Sequence, residues 1–488
     1  MRISLVSLKS IALLCAAISV SSFCFAQQIH YPDKVKALFE EADAATDLSL
    51  RPLIGIMAPY EADAVLKAGG APVVIPAAAD AMTLRSIAFS LDGIVLGDSF
   101  VREDDPFTVL LYKAAADRNV PVLGSNSLTG EIDRGLFRRP AKISSMEGLV
   151  ARASLYRRAK EIHGRVFTLD THADLPDVYE DGYRLGRRAD NQVSIAKMQE
   201  GMLDGTFLIS YLGQKDFPDE PSAVAYCTSQ IEKIHEDIAE NGDGCVLVTT
   251  PSEALEAKKL GKKAFFIGIE NGFGIGDDIR NVRRYADMGV RYITLSHTYD
   301  NLICHTSSHS ADTTKGLTPF GKKVVREMNR CGILVDCSHT SSGTFWDCIK
   351  YSKAPIICSH SGCKALFDHD RSLTDDQLRA LKANGGVVQV YAVWNFQAPS
   401  LEEADLEVYL DHIDHAVKVA GVDHVGIGVD MDGGGGYYGV FGCNDMLNIT
   451  VGLLERGYSE EDLAKLWSGN FFRMDTLRFN AVLHPLVF

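Results

Sequence analysis

Asp170, His172 and Asp174 stand two residues apart in the run VFTLDTHADLPDVY, residues 166–179, which begins apolar and ends in metal-competent side chains. Side chains alternate faces along a strand, so His172 and Asp174 point the same way and can ligate one ion together. Asp170, one step deeper on that face, can support them by hydrogen bonding. The same kinds of residue close five further apolar runs: Glu270, His297, His339, His360 and Asp430. A single histidine in such a place is ordinarily a satisfied core or loop residue, but six runs ending alike call for a common cause. Three histidines and two carboxylates drawn from this set, with no cysteine, suit zinc in a hydrolytic site. Five ligands exceed what one tetrahedral ion with an open position needs, and match two zinc ions if one carboxylate bridges them.

The elements that carry these residues recur with one rhythm. Apolar runs at 166–172, 206–212, 264–271, 291–297, 332–339, 354–360, 385–392 and 424–430 alternate with helical stretches such as PFGKKVVREMNRCG and TDDQLRALKANG. Eight strands with intervening helices over this length predict an α/β fold, a (β/α)8 TIM barrel, whose active site forms where the carboxyl ends of the strands meet. An open doubly wound sheet would bind a nucleotide through a glycine-rich turn, and GIENGFGIGDD lacks that fingerprint. Ahead of the barrel, residues 50 to about 140 alternate shorter apolar runs (PLIGIMA, APVVIPA, GIVLGD, VPVLGS) with helical patterns, predicting a small flavodoxin-like α/β domain.

The formal charge of -15 argues against an electrostatic grip on nucleic acid or anionic lipid, which needs clustered Lys and Arg. The first residues carry a basic start (Arg2, Lys9), an apolar centre and a small residue, Ala26, before a polar stretch. They read as a signal peptide, residues 1–26, cleaved to leave an exported chain, periplasmic or secreted, without an integral membrane span. Lipid attachment at Cys24 is disfavoured by the bulky Phe23 before it. Of 11 cysteines, Cys15 and Cys24 fall in this segment; the rest are scattered and odd in number, so they cannot all pair and do not form a zinc ribbon.

Seven ordered stretches carry a family resemblance: LDTHADLP, IGIENGFGI, YITLSHTYDN, GLTPFGKKVVREMNRCGILVDCSHTS, APIICSHSGCKAL, RSLTDD and GVDMDGG. In this order they resemble the membrane (renal-type) dipeptidase family, peptidase family M19 of the amidohydrolase-like barrels, over a catalytic barrel at residues 155–488. The resemblance implies a zinc-dependent dipeptidase with two zinc ions: one held by His172 and Asp174, one by His339 and His360, and Glu270 bridging both. It implies a metal-bridging hydroxide as nucleophile, His297 against the substrate near the scissile carbonyl, Arg371 on its terminal carboxylate and Asp430 as the acid/base. Separately, residues 48–145 resemble a truncated class I glutamine amidotransferase domain, in which PVLG leads not into a nucleophilic cysteine but into Ser125, Asn126 and Ser127.

Physical reasoning supports those roles. Metal ions lower the pKa of bound water, a neighbouring histidine steadies an oxyanion, and a guanidinium offers a planar fork to a carboxylate. Two other readings stay open at this level: a broader binuclear amidohydrolase acting on N-acyl amino acids, lactams or lactones, and a non-catalytic periplasmic binding protein. Arg371 lies in a loop with Asp368 and Asp370, where a surface ion pair is the alternative. His305 and His309 read as solvated loop residues, Asp432 as a loop-shaping one, and Cys337, Cys358 and Cys363 as small packing groups. A dipeptide substrate and a homodimer are the expected partners.

Overall fold

The computed structural model describes residues 51–57, 61–75, 81–96, 106–118, 120–124, 142–310 and 312–474. The chain divides into two units, Met1–Glu161 and Ile162–Phe488. Residues 1–26 and Ser125 to Ser127 lie outside the described residues.

In the first unit, short apolar runs form five parallel strands: β1 (Leu53–Ile56), β2 (Ala71–Val74), β3 (Gly93–Leu96), β4 (Val122–Gly124) and β5 (Lys142–Ile143), in the order β2-β1-β3-β4-β5. Parallel neighbours need crossover connections, and helices Ala62–Lys67, Ala81–Ser90 and Pro106–Arg118 provide three of them. Ile54, Ile56, Val65 and Val95 are buried together with Leu149 and Ala153 of the helix Met146–Arg165.

The second unit is a barrel-like (β/α) fold. Its strands are β6 (Leu169–Ala173), β7 (Gly205–Tyr211), β8 (Cys245–Leu247), β9 (Lys263–Glu270), β10 (Val290–Thr294), β11 (Leu334–Asp336), β12 (Ile357–Cys363), β13 (Ser372–Leu373), β14 (Val387–Val390) and β15 (Val425–Ile427). Eight of them pair in parallel in the order β6-β7-β9-β10-β11-β12-β14-β15, with β8 beside β9 and β13 beside β12. The last strand returns to the first. Ala173 bridges Met431, the Asp174 amide donates to the Met431 carbonyl at 2.7 Å, and the Thr171 hydroxyl donates to the Ile427 carbonyl at 3.1 Å. Each of the eight apolar runs in the sequence thus overlaps one strand of this nearly closed sheet.

Burial on both faces explains the runs: β9 reads KAFFIGIE because every residue after Lys263 is buried. Phe207, Phe266, Tyr292, Leu334, Ile357 and Val387 form one buried cluster, with the Phe207 and Phe266 rings stacked at 4.8 Å. Each such side chain contributes about 1.5–3 kcal/mol by leaving water. The surrounding helices are punctuated by capping chemistry. Thr318 accepts from the Gly321 amide, Pro319 opens the helix Pro319–Cys331, and Gly332 closes it at φ 67°. Thr374 and Gln377 form a reciprocal capping box on Asp375–Asn384. A side-chain cap of this kind is worth about 1 kcal/mol.

Where the strands stop differs from the run ends, and two buried carboxylates explain it. Asp336 Oδ1 accepts from the amides of Ser338 and Ser359, and Asp170 Oδ2 accepts from the Val429 amide at 2.8 Å. Side chains thus take over amides that a longer ladder would use, so β11 and β15 end after three residues. Consequently His297, His339 and Asp430 each lie three residues beyond their strands, whereas His172, Glu270 and His360 lie within theirs. Among the described residues no helix is long and apolar enough to cross a membrane, and all nine cysteines are free thiols.

Candidate metal centre

Glu270 occupies the middle of the site. Its Oε1 lies 3.0 Å from His339 Nε2 and 3.2 Å from His360 Nε2, and its Oε2 lies 3.6 Å from His172 Nε2. His172 Nε2 in turn lies 3.2 Å from Asp174 Oδ2 and 3.8 Å from Asp430 Oδ1, and the Nε2 atoms of His339 and His360 face each other at 2.9 Å. Three overlapping groups are close enough to share an ion: His172, Glu270 and His360; Glu270, His297 and His339; and His172, Asp174 and Asp430. Two oxygens of one carboxylate facing two donor groups is the arrangement of a binuclear metal-binding site.

The donor set fits such ions. Ligands about 2.0–2.1 Å from a tetrahedral zinc stand about 3.3 Å apart, close to the separations seen here. His172 Nε2, Asp174 Oδ1 and Glu270 Oε1 are buried with no hydrogen-bond partner. Buried polar atoms are otherwise paired almost without exception, so three orphans among these clustered side chains mark a place for cations.

The histidine ligands are held from behind. Tyr292, fully buried, receives His172 Nδ1 at 2.7 Å and donates to the Thr171 carbonyl at 3.0 Å. Its ring reaches His172 because Gly268 has no side chain: a Cβ there would stand 2.7 Å from the ring. The Ser359 hydroxyl lies 2.9 Å from His360 Nδ1 and donates to Asp336 Oδ2 at 2.6 Å. Asp336 also accepts from the Thr294 hydroxyl at 2.5 Å, tying three strand ends together. Asp170 accepts from the His172 amide at 2.9 Å, so it fixes the backbone of the ligand rather than its ring. His339, Asp430 and Asn271, the residue after Glu270, all adopt left-handed backbone conformations, with φ of 62°, 72° and 83°. Such conformations cost about 1–3 kcal/mol each and persist where surrounding bonds enforce them. The His339 carbonyl, for instance, accepts from the Ser307 amide at 2.8 Å and the Thr306 hydroxyl at 2.9 Å.

Burial and mutual charge shift every acid and base in the cluster. Burial raises Asp174 to about 6 and lifts Asp430 well above the carboxylate range, where Asp174 and Glu270 push it further. Burial opposes charge on His172 as well, but Asp174 and Glu270 outweigh it and hold the imidazole well above its usual value. Glu270 is held well below its usual value because His172, His297 and His339 together overcome burial. Burial depresses both His339, where Arg371 reinforces it, and His360, where His172 does. A cluster that must share protons to balance its charge is one that a dication relieves.

Of the residues singled out in the sequence, His172, Asp174, Glu270, His297, His339, His360 and Asp430 come together here. His297 packs against Tyr211 and His339, with its Nδ1 2.7 Å from the Thr298 hydroxyl. Arg371 is buried, not exposed in a loop: β13 follows it, its Nη2 donates to the His360 carbonyl at 3.2 Å, and its guanidinium lies over Tyr391 and Phe396. The surface pair is made instead by Lys364, which meets Asp368 and Asp370. Asp432 accepts from the Gln192 and Val193 amides, shaping a loop, and His305 pairs with Asp300 at 2.7 Å. Tyr292, Asp336 and Ser359 escaped the sequence reading. For Asp336 a signal existed, since a carboxylate inside the apolar run GILVDCSH mirrors Asp170 inside VFTLDTH.

A sequence model of the membrane dipeptidases, peptidase family M19, matches residues 156–477. Among curated proteins, an uncharacterized dipeptidase of Schizosaccharomyces pombe is 33% identical over 303 residues, covering 57% of this chain and 71% of the relative. Dipeptidase verJ of Clonostachys rogersoniana is 33% identical over 291 residues, covering 57% and 74%. Among solved structures, the probable dipeptidase PvdM from Pseudomonas aeruginosa superposes with a TM-score of 0.64 at 25% identity, covering 67% of this chain and 98% of that one. A metallopeptidase from Rhodobacter sphaeroides, solved with a phosphinate mimic of the dipeptide L-Ala-D-Ala, shares the fold with a TM-score of 0.60 at 21% identity, covering 64% and 99%.

Proposed function

The chain belongs to the membrane dipeptidase family, peptidase family M19, and from that premise we propose that it is a zinc-dependent dipeptidase. One observation carries the step from metal-dependent amide hydrolysis to dipeptides. Arg371 is a buried guanidinium beside the metal centre, and no carboxylate pairs with it within 4.0 Å among the described residues. A buried cation without a counter-ion is costly, and the free terminal carboxylate of a short peptide supplies one.

His172, Asp174, Glu270, His339 and His360 would hold two divalent ions, which when bound would supply a nucleophilic water at neutral pH and polarise the scissile carbonyl. Asp430, facing the same space, takes the proton from the attacking water and passes it to the leaving amine. The Thr298 hydroxyl, 2.7 Å from Nδ1, can donate to it; the His297 ring proton then sits on Nε2, from which it donates to the carbonyl oxygen as charge develops there. Burial holds that imidazole below its usual value, so it acts as a neutral donor. Arg371 fixes the carboxylate end and so sets which amide bond meets the metals.

The same reading takes residues 1–26 as a cleaved signal, the protein as exported to periplasm or medium, the barrel at 155–488 as a TIM barrel, and a homodimer as its assembly. The strand order of the first unit, 2-1-3-4-5, is that of flavodoxin-like sheets, while a relic amidotransferase-like domain at 48–145 rests on the resemblance of the sequence alone. The test is release of amino acids from a dipeptide and from its carboxyl-amidated twin, with and without chelator. Chelator-sensitive cleavage of the free acid alone is expected; equal cleavage of both would favour a broader amidohydrolase.

A further inference from the structure

Beside the metal centre, a cavity of about 160 Å³ opens between the ends of β11 and β12, sharing His339 and Arg371 with the site. Hydroxyl and amide groups dominate its wall, among them Ser307, Thr313, Thr340 and Gln377. One water occupies about 10–15 Å³ of such space, so the cavity admits a side chain the size of aspartate or asparagine. Lys364 and Asp370 also line it, paired at 3.0 Å.

Two polar atoms on this wall are buried and unpartnered: Ser307 Oγ and Arg371 Nε, in residues 5% and 4% exposed. Arg371 Nε can only donate, and the Ser307 hydroxyl is free to donate as well. Both residues are pinned by other bonds, the Ser307 amide to the His339 carbonyl and Arg371 Nη2 to the His360 carbonyl. The Arg371 guanidinium is thereby held in place, and the Ser307 backbone is fixed on the same wall.

We propose that this cavity is the subsite for the side chain of the substrate's carboxyl-terminal residue, and that it selects a short side chain ending in an oxygen acceptor, aspartate or asparagine in kind. The inference rests on the dipeptidase reading, which anchors that residue between Arg371 and the metals. Its side chain is then the part of the substrate adjacent to a cavity walled by Arg371 and His339. An apolar side chain of equal size leaves both donors unpaired and dry, the situation in which a polar pocket discriminates strongly.

The experiment compares kcat/KM of the zinc-loaded full chain for Ala-Asn and Ala-Leu, which are nearly isosteric, with Ala-Gly as the dipeptide that leaves the cavity empty. Each chiral second residue is tested in both configurations. Ala-Asn is expected to exceed Ala-Leu by about ten- to a hundredfold in the better configuration. Ser307→Ala is expected to lower that ratio severalfold, and free asparagine to inhibit wild type more strongly than free leucine. Equal or better cleavage of Ala-Leu, or a preference that Ser307→Ala leaves intact, overturns the subsite while leaving the dipeptidase reading in place. Cleavage of none of the three, Ala-Gly included, overturns that reading and the subsite with it.

Discussion

Replacing Tyr292 with phenylalanine removes one oxygen and leaves the rest of the ring where Gly268 makes room for it and Phe207 packs at a centroid distance of 4.9 Å. That oxygen makes two hydrogen bonds, to His172 Nδ1 at 2.7 Å and to the Thr171 carbonyl at 3.0 Å. Neither group is reached by solvent, so each loses a partner without gaining water, at about 1–3 kcal/mol apiece. The apo barrel is therefore expected to lose roughly 2–6 kcal/mol of stability. The sharper effect falls on metal affinity. His172 Nε2 is aimed at Asp174 and Glu270 by the bond on the far side of its ring, and loss of such a partner typically weakens metal binding about 10–100-fold. Titration of wild type and Tyr292→Phe with zinc against a competing chelator measures this, with circular dichroism to establish that the variant is folded. A folded variant whose zinc affinity lies within about twofold of wild type would refute the idea that Tyr292 orients a metal ligand.

Asp430→Asn removes the proton acceptor without altering size, so kcat is expected to fall about 10²–10⁴-fold while metal content stays at the wild-type value. Metal analysis beside steady-state kinetics separates this from a role as a ligand, which would lower both. Asp336→Ala strips bonds from Thr294, Ser338 and Ser359 in the barrel interior. Bonds to a charged group are worth about 1.5–3 kcal/mol each, so a loss of at least about 3 kcal/mol is expected in urea unfolding of the metal-free protein. His163 carries a pH prediction. Burial holds it neutral, pushed down to about 3, with Nδ1 3.2 Å from the Met202 carbonyl and Nε2 2.7 Å from the Thr450 hydroxyl, itself bonded by Trp467. Its folded value lies below its unfolded value of 6.5, so the stability it contributes is complete above pH 6.5 and drains as pH falls towards 3. Between pH 6.5 and 5 the stability gap between wild type and His163→Gln is expected to narrow by about 2 kcal/mol, measured at a fixed metal state. A gap independent of pH would mean that His163 is not held neutral.

The eight apolar runs were legible because strands buried on both faces must be apolar end to end, and their polar last residues stood out against that background. The same logic could not locate strand ends. β11 and β15 stop early because Asp336 and Asp170 capture amides from neighbouring segments, a decision made by contacts more than 20 residues apart in the chain. It follows that His339 and Asp430 occupy left-handed turns rather than strand termini, which no period-two pattern encodes. β13 is two residues long and exists only through its pairing with β12, yet it follows Arg371 and helps to bury a residue that sequence spacing alone placed in a surface loop. Tyr292 shows a further limit. It reads as one more aromatic in a core strand, and only the gap above Gly268 reveals that its hydroxyl reaches a site residue on another strand.

Glu270, with one oxygen towards His172 and the other towards His339 and His360, would hold two metal ions together in one hydrolytic centre. Stripping the protein with chelator and restoring zinc stepwise, while following both bound metal and dipeptide hydrolysis, tests it most directly. Activity is expected to return fully only as the second equivalent per chain binds. Full activity at one equivalent, or activity in the stripped protein equal to that of the restored one, would contradict it.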